Sequence, residues 1–460
     1  MDFSFSADQL SARDAVREFA RAELAPGYLN RAKSTDFPWK EHRRIASLGV
    51  FGFLVGPEHN PLATEDFVAA GLVAEELGYA DFNLANAAIP VMLMSSLIAR
   101  HGTSDVRERW LTPMIEGTAF VGLGLTEPGA GSDVSSIRTT AAAEGEEYIL
   151  TGEKTSVTML AHAQAVIVVA KTLRAGRRAG ASAFVVPMDL PGISRSPISD
   201  PGWLPLGRGV LHLDGVRVPA SAMLGGQGSA FRSVLNGFDF TRPLLALTGL
   251  GCAQASIDET ARYLLQRHVF GSPLASFEGA SFLLAEHATY LEAARLLCYS
   301  ALWRRNSELS HTAPAAMSKW YGPQQAYRAI HDCLLLHGNF GYSSEFPFEQ
   351  RLRDVLALEI ADGPAQIQKI IIARELFGPE FVPYTRPGRL PSPSRPPRLA
   401  ALLMRWPRAG MPRSSMSSRE RRDGRRGKDG SERLRGAGGR TARRGVPQCA
   451  WRRFPSHTGA

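Results

Sequence analysis

Residues 125–133 read LTEPGAGSD, and this stretch is the most specific in the chain. Its small residues leave the backbone open, and Ser132 and Asp133 follow them directly. A loop of this kind can turn several backbone N–H groups toward an anion or toward the edge of a heterocycle. Taken alone, the stretch is also typical of an ordinary turn in a β-domain. The sequence on either side of it is therefore needed to distinguish a binding loop from an ordinary turn.

Short β-rich runs surround this loop. Segments such as AVIVVAKTL at 165–173 and GVLHLDGVRVP at 209–219 are separated from their neighbours by Gly, Pro and polar turns. This pattern predicts a small β-domain, which we place at residues 121–228.

Helical patterns lie on both sides of the β-domain. SADQLSARDAVREFARAEL at 6–24 has a polar start and apolar residues at helical spacing, and four long helical segments follow residue 228. The expected fold class is therefore α+β, mainly α. It comprises an N-terminal helical domain at 1–120, the β-domain at 121–228 and a C-terminal four-helix bundle at 229–382.

The net charge of +9 is not spread evenly along the 460 residues. Residues 383–460 hold 20 Lys and Arg against 4 Asp and Glu, whereas residues 1–382 hold 33 against 40. The body is mildly acidic, and we expect no nucleic-acid partner for it. The tail at 383–460 has few large apolar residues, so we expect it to be disordered. It is either a non-functional extension or, on its charge alone, a segment for nucleic acid or an acidic partner.

The cysteines and the N-terminus indicate the compartment. Cys252, Cys298, Cys333 and Cys449 form neither a CxxC motif nor a metal-ligand spacing, which favours unpaired thiols in a reducing compartment and no metal. The first residues, MDFSFSADQL, contain no basic segment followed by an apolar run, and no stretch reaches 18 uninterrupted apolar residues. The sequence therefore predicts a cytoplasmic protein without a membrane span.

A carboxylate near the end of the predicted bundle raises a separate question. Asp362 lies in LEIADGPAQIQ at 358–368, directly before Gly363 and Pro364, and a helix-like stretch follows. An Asp in this place can cap the N-terminus of the following helix. It can also be a catalytic base, if the surrounding sequence belongs to an enzyme.

With these motifs the chain resembles the acyl-CoA dehydrogenase family of flavoproteins, over about residues 5–382. LTEPGAGSD matches a family signature nearly letter for letter, and the other matches occur in the family's order. They are GEKTSVT at 152–158, FDFTRP at 238–243, LLQRHVFGSPL at 264–274 and LHGNFGYSSEFPFEQRLRD at 336–354.

The resemblance implies FAD as cofactor, an acyl-CoA or acyl-carrier-protein thioester as substrate, and an electron-transfer flavoprotein as acceptor. It also implies a homodimer or homotetramer, because Arg267 and Phe270 would reach the FAD of a neighbouring subunit. The implied cofactor-binding residues are Leu125, Thr126, Gly131, Ser132, Thr158, Arg267, Phe270, Asn339, Pro364 and Gln366, and the implied substrate-binding residues are Ser132, Asp239, Arg242 and Gly363.

The resemblance gives Asp362 the place of the catalytic base, where the family usually has Glu. That carboxylate removes the α-proton of an acyl thioester while the β-hydrogen leaves as hydride to flavin N5. The family stabilises the thioester oxygen with a backbone N–H, here that of Asp362, and with a flavin hydroxyl. Asp is one C–C bond shorter than Glu, about 1.5 Å, and a misplacement of ~1 Å can cost 10²-fold in rate.

Three interpretations of the shorter side chain stay open. In the first, Asp362 is the base and the substrate sits deeper or is wider. In the second, the base is Asp81, which lies in the region that lines the acyl pocket in the family; relatives acting on alicyclic acyl-CoA esters use an acid from that region. Alternatively the substrate is more acidic, as in relatives that oxidise nitroalkanes with an Asp. The family's other base position is occupied by Thr241, which excludes it.

Other departures from the family concern the flavin environment. Ser156 stands where a Trp usually packs on the flavin, and Leu335 and Asn339 replace a usual Gln and Gly. They predict a specialised substrate, such as a branched or alicyclic acyl group, rather than a straight-chain fatty acyl-CoA. The alternatives are an acyl-carrier-protein dehydrogenase, an oxidase or monooxygenase on the same fold, and a flavin-binding scaffold without activity.

Overall fold

The computed structural model describes residues 4–60, 65–174 and 177–378. The predicted tail at 383–460 lies outside the described residues. Within the described part, helices precede and follow an antiparallel-rich sheet, so the predicted fold class and the helix–sheet–helix order are confirmed.

Polar side chains fix where the N-terminal helices begin. Ser6 and Gln9 form a capping box at the first helix, and the Asp66 carboxylate accepts hydrogen bonds from the backbone N–H groups of Val68 and Ala69. The α-helices described in this part of the chain are α1 (Ala7–Phe19), α2 (Tyr28–Ala32), α3 (Trp39–Ser47), α4 (Phe67–Ala80), α5 (Phe82–His101) and α6 (Ser104–Ile115).

Helix α5 is the central helix of this domain. It is the one helix of the described residues that is long and apolar enough to cross a membrane, with a mean hydropathy of 1.6 in its most apolar window. However, 94% of that window is buried inside the protein. Its composition is therefore accounted for by its place in the core.

The middle of the chain forms one eight-stranded sheet. Its strands are hydrogen-bonded in the order β6-β7-β3-β2-β4-β5-β8, and β1 pairs in parallel with β4. The strands are β1 (Val121–Gly124), β2 (Thr140–Glu144), β3 (Glu147–Val157), β4 (Ala165–Arg174), β5 (Arg177–Pro187), β6 (Ile193–Pro197), β7 (Gly209–Pro219) and β8 (Met223–Leu224).

Up to residue 378, where the described residues end, four long helices and one short one follow the sheet, with a small hairpin after the first of them. The helix α7 packs against α4 so closely that glycine is required at the crossing: a Cβ on Gly251 would lie 2.1 Å from the carbonyl oxygen of Glu75. The elements are α7 (Ala230–Gln266), β9 (His268–Val269), β10 (Ser272–Pro273), α8 (Glu278–Asn306), α9 (Thr312–Leu336), α10 (Phe348–Leu356) and α11 (Ala365–Phe377).

A buried carboxylate joins all three parts of the fold. Asp354 in α10 accepts hydrogen bonds from Tyr28 Oη at 3.0 Å, Asn83 Nδ2 at 3.0 Å, Trp203 N at 2.8 Å and Gln350 Nε2 at 3.1 Å. Burial raises the pKa of Asp354 to about 6, so the side chain is ionised at neutral pH. The four donors satisfy this buried charge and hold α10 in place before the segment that carries Asp362.

Candidate active site

A buried ion pair holds the LTEPGAGSD loop against strand β3. The ammonium of Lys154 is fully buried, lies 2.7 Å from Glu127 Oε1 and donates a hydrogen bond to the carbonyl oxygen of Leu125. Glu127 also accepts hydrogen bonds from the backbone N–H and the hydroxyl of Thr139. Burial lowers the pKa of Lys154 to about 8, although Glu127 acts in the opposite direction. Two residues of the loop, Leu125 and Glu127, thus anchor it to Lys154 of β3.

Beyond this anchor the loop is open. A Cβ on Gly129 would meet nothing within 4 Å, and a Cβ on Gly131 would meet only the Thr126 methyl group at 3.9 Å. Ser132 and Asp133 are exposed. The backbone N–H of Thr155 donates to the Thr126 carbonyl at 2.9 Å, which keeps the loop beside the end of β3; Thr158 follows this strand directly.

The end of β3 contains a contact that sequence reasoning missed. Ser156 adopts a positive φ of 59°, and its hydroxyl accepts a hydrogen bond from Arg208 Nη1 at 3.2 Å. Arg208 is held in turn by Asp200, whose Oδ2 lies 2.8 Å from its Nε. The ion pair of Arg208 and Asp200 therefore lies next to Ser156, the position at which the family usually has Trp. The residues are 52 positions apart, so no local pattern could have paired them.

The segment with Asp362 is a strained turn between two helices. Asp362 and Gly363 have positive φ values of 52° and 93°, and Asp is one of the few residues that tolerate this conformation. Gln368 Nε2 donates to the carbonyl oxygens of both residues, at 3.0 and 2.8 Å. Helix α11 begins after Pro364 without a side-chain cap. The interpretation of Asp362 as a cap of this helix is therefore wrong.

The carboxylate of Asp362 is bound at one oxygen only. Its Oδ2 accepts a hydrogen bond from Thr241 Oγ1 at 3.1 Å, and Oδ1 has no hydrogen-bond partner in the part of the chain that the structure describes. The residue is half-buried. Such a carboxylate retains a free oxygen for a proton.

Two buried cations lie near Asp362. Arg242 is 6% exposed, and its Nη1 lies 2.7 Å from Asp239 Oδ1. Burial lowers the pKa of Arg242 and lowers that of Lys319 to about 8, while the charge of Asp362 acts in the opposite direction on both. Lys319 Nζ donates to the carbonyl oxygen of Leu358, at the start of the turn. The predicted substrate contact Arg242 is thus a buried, ion-paired side chain rather than a solvated helix charge.

The alternative base, Asp81, is fully engaged. It is 1% exposed, its Oδ1 accepts from the backbone N–H of Leu84 at 3.1 Å, and its Oδ2 lies 2.8 Å from Arg31 Nε. It is the N-cap of α5. Burial raises the pKa of Asp81 and the Arg31 charge lowers it. Both oxygens have donors, which leaves neither oriented toward a substrate.

Most of the remaining predicted residues are exposed or half-buried. Arg267 and Asn339 are exposed, and Phe270 is 97% exposed. They follow the ends of α7 and α9, which a Tyr263–His337 ring stack at 4.3 Å brings together. Pro364, Gln366 and Gly363 lie at the start of α11, where Gln366 is exposed, and Leu125 is buried at the base of the glycine loop.

These features fit a flat, polar cofactor. The glycines of the 125–133 loop leave open space beside the backbone, and Gln368 Oε1 is buried with no hydrogen-bond partner among the residues that the structure describes. In the described ranges no group of three or more His, Cys, Asp or Glu side chains could hold a metal ion. An open loop and a half-buried carboxylate are compatible with a flavin-dependent oxidoreductase.

Three family models match the chain in sequence order. They are the N-terminal domain of acyl-CoA dehydrogenase at residues 6–118, the middle domain at 122–216 and the C-terminal domain at 228–377. The chain belongs to the acyl-CoA dehydrogenase family. It is an FAD-dependent oxidoreductase that acts on the CH–CH bond of acyl-CoA.

Individual relatives agree with this assignment. The chain is 34% identical over 384 residues to the probable acyl-CoA dehydrogenase YngJ of Bacillus subtilis, which covers 82% of this chain and 100% of the relative. It is similar to the structure of butyryl-CoA dehydrogenase from Megasphaera elsdenii, with 29% identity, a TM-score of 0.77, and coverage of 81% and 99% of the two chains. The same figures apply to a structure described as the electron transferring flavoprotein of Acidaminococcus fermentans.

Proposed function

We propose that the enzyme converts an acyl-CoA to its α,β-unsaturated thioester, with Asp362 as the base that removes the α-proton. The observation that carries this proposal is the carboxylate of Asp362, whose Oδ2 accepts a hydrogen bond from Thr241 while Oδ1 has no partner among the described residues. FAD, when bound, accepts the β-hydrogen as a hydride. The alternative base Asp81 has no free oxygen, since a cap and an ion pair use both.

The turn also supports a donor for the thioester oxygen. The backbone N–H of Asp362 has no acceptor within the described residues, whereas its carbonyl is bound by Gln368 at 3.0 Å. Gln368 is fully buried, so it fixes the peptide planes of the turn. A fixed backbone N–H can stabilise the negative charge that develops on the thioester oxygen as the α-proton leaves.

The acyl group that we propose is branched or alicyclic. Asp362 withdraws the base by one C–C bond, about 1.5 Å, relative to Glu. A wider acyl group would place its α-carbon closer to the shorter Asp362 side chain, whereas a linear acyl chain would leave the α-carbon too far from the carboxylate. An acyl group carried on an acyl carrier protein, and a more acidic nitroalkane substrate oxidised with oxygen, are the competing interpretations.

Anaerobic flavin reduction tests this proposal. The FAD-loaded protein is mixed with butyryl-CoA, isobutyryl-CoA, cyclohexanecarbonyl-CoA and nitroethane, and loss of the oxidised flavin absorbance is followed. We expect the branched or cyclic thioester to reduce the flavin fastest. Reduction by nitroethane alone would replace the thioester substrate by a nitroalkane. Reduction by butyryl-CoA alone would contradict the wider acyl pocket.

We further propose that an electron-transfer flavoprotein reoxidises the enzyme. Two points support this: the similarity to the structure described as the electron transferring flavoprotein of Acidaminococcus fermentans, and the need for an acceptor of two electrons after each turnover.

A homodimer or homotetramer is the assembly that we propose. Apolar side chains are exposed where α7 and α9 end, among them Phe270 at 97%, Tyr342 at 83% and Leu265 at 66%. A second copy of the chain would cover them, and Arg267, Phe270 and Asn339 would then reach the flavin of that copy. Sedimentation equilibrium is expected to give the mass of a dimer or tetramer. A stable monomer at micromolar concentration would contradict the assembly.

A further inference from the structure

We propose that Thr241 is a positioning residue for proton abstraction: its hydroxyl holds Oδ2 of Asp362 and thereby makes Oδ1 the oxygen that takes the α-proton. This inference rests on the proposed function, because it requires Asp362 to be the base. Thr241 occupies the position of an alternative carboxylate base in the family, but here its side chain is a hydrogen-bond donor.

The contact between the two side chains is well defined. Thr241 is 1% exposed on α7, and its Oγ1 lies 3.1 Å from Asp362 Oδ2 and 3.5 Å from the carbonyl oxygen of Phe238. A hydroxyl has one proton to donate. The shorter contact leads to a charged acceptor, which forms the stronger hydrogen bond, so the proton is directed to Asp362.

The surroundings explain why the carboxylate needs to be held. Arg242 and Lys319 are buried cations on which the charge of Asp362 acts, and Arg242 Nε is buried without a hydrogen-bond partner. Asp362 nevertheless forms no ion pair within 4 Å in the described ranges of the chain. Loss of the Thr241 hydroxyl would let the carboxylate rotate toward these cations, and a carboxylate engaged by them is a weaker base.

Because the Thr241 hydroxyl is bonded to Oδ2, the α-proton is transferred to Oδ1 of Asp362. The bond between the α-carbon and its hydrogen breaks and an O–H bond forms at Oδ1, which converts the carboxylate to a neutral acid. The electron pair of the broken bond becomes the second bond between the α- and β-carbons as the β-hydrogen leaves with its pair to the oxidised flavin. The acyl thioester loses two electrons and the cofactor gains two.

Two substitutions at position 241 test the inference. Thr241→Val keeps the shape and removes the hydroxyl, and Thr241→Ser keeps the hydroxyl. With the acyl-CoA of the panel that reduces the parent fastest, Thr241→Val is expected to slow flavin reduction by about 10- to 100-fold, as a misplaced base does, and to raise the isotope effect of an α-deuterated substrate. Thr241→Ser is expected to restore the parent rate and isotope effect. FAD content and the dissociation constant of the acyl-CoA should stay unchanged.

The matched control is Thr260→Val. Thr260 is a buried threonine of the same helix, about 28 Å further along its axis, and it donates to the carbonyl oxygen of Ser256. The Thr260→Val variant is expected to reduce its flavin at the parent rate. The inference is wrong if Thr241→Val keeps the parent rate, or if Thr241→Ser is as slow as Thr241→Val. Asp362→Asn is measured alongside: a parent rate there would overturn the proposed function itself, and this inference with it.

Discussion

Asp362→Asn is expected to slow anaerobic flavin reduction by about 10²- to 10⁴-fold, the usual contribution of a general base. Asn has nearly the shape of Asp and tolerates the positive φ of 52° at this position. Its amide oxygen can still accept the hydrogen bond that Thr241 donates to Oδ2. The substitution therefore removes the proton acceptor and little else. Stopped-flow measurement with the acyl-CoA that reduces the parent fastest gives the rate constant.

Asp81→Asn is the matched control for this variant. It keeps an N-cap for α5 but removes the counter-charge of Arg31, so we expect lower stability and an unchanged rate for each bound FAD. The reversed pattern, with a slow Asp81→Asn and a normal Asp362→Asn, would make Asp81 the base. If both variants keep the parent rate, carboxylate proton abstraction is not the mechanism.

Asp362 illustrates what the sequence could predict of the site. The resemblance to the family identified it as a candidate base, and the helix–sheet–helix order followed from the periodicity of the sequence. Its local geometry did not follow. The cap alternative depended on where α11 begins, and the structure begins that helix after Pro364 without a side-chain cap. Helix boundaries are the least determined part of a periodic pattern.

Contacts between distant segments account for most of what the sequence could not show. Thr241 and Asp362 are 121 positions apart, and Arg208 and Ser156 are 52 apart. No period or motif links such residues, because their proximity is decided by the packing of α7 against the turn and of β7 beside β3. Residue type alone excluded Thr241 as a base, and only the structure shows that its hydroxyl donates a hydrogen bond to Asp362.

The sequence also predicted only a general role for the residues of the 125–133 motif. The 125–133 loop was expected to contact flavin through its backbone and hydroxyls, and nothing in its spacing distinguished Glu127 from its neighbours. The structure shows that Glu127 points inward to Lys154, which belongs to the second motif at 152–158. Two motifs that resemble cofactor contacts thus also contain the ion pair that holds them together.

Glu127→Gln is expected to destabilise the protein by about 3–5 kcal/mol, as removal of one partner from a buried ion pair does. Lys154 is fully buried, and its Nζ lies 2.7 Å from Glu127 Oε1. The amide of Gln would direct a donor toward the ammonium or toward the donors of Thr139. The loop would lose its anchor, so bound FAD should decrease together with the unfolding free energy measured in urea.

Glu147→Gln is the matched control, on the strand β3 that carries Lys154. Glu147 pairs with Arg217, and both side chains are about half exposed, so the expected loss is about 0–1 kcal/mol. A second comparison is the double variant Glu127→Leu with Lys154→Met, in which no charge is left unpaired. It is expected to be more stable than Glu127→Gln, because the larger cost lies in the stranded ammonium.

The pH dependence of Glu127→Gln gives an independent check. Burial lowers the pKa of Lys154 to about 8 in the parent, and loss of the Glu127 charge lowers it further. The unfolded chain keeps the usual lysine pKa of about 10.4. Between these values the unfolded state binds more protons than the folded state, so stability rises with pH. The penalty of Glu127→Gln should be full near pH 6 and smaller near pH 9, where Lys154 is neutral in the folded variant. A penalty of equal size at both pH values would show that lost hydrogen bonds, and not the stranded charge, dominate at this pair.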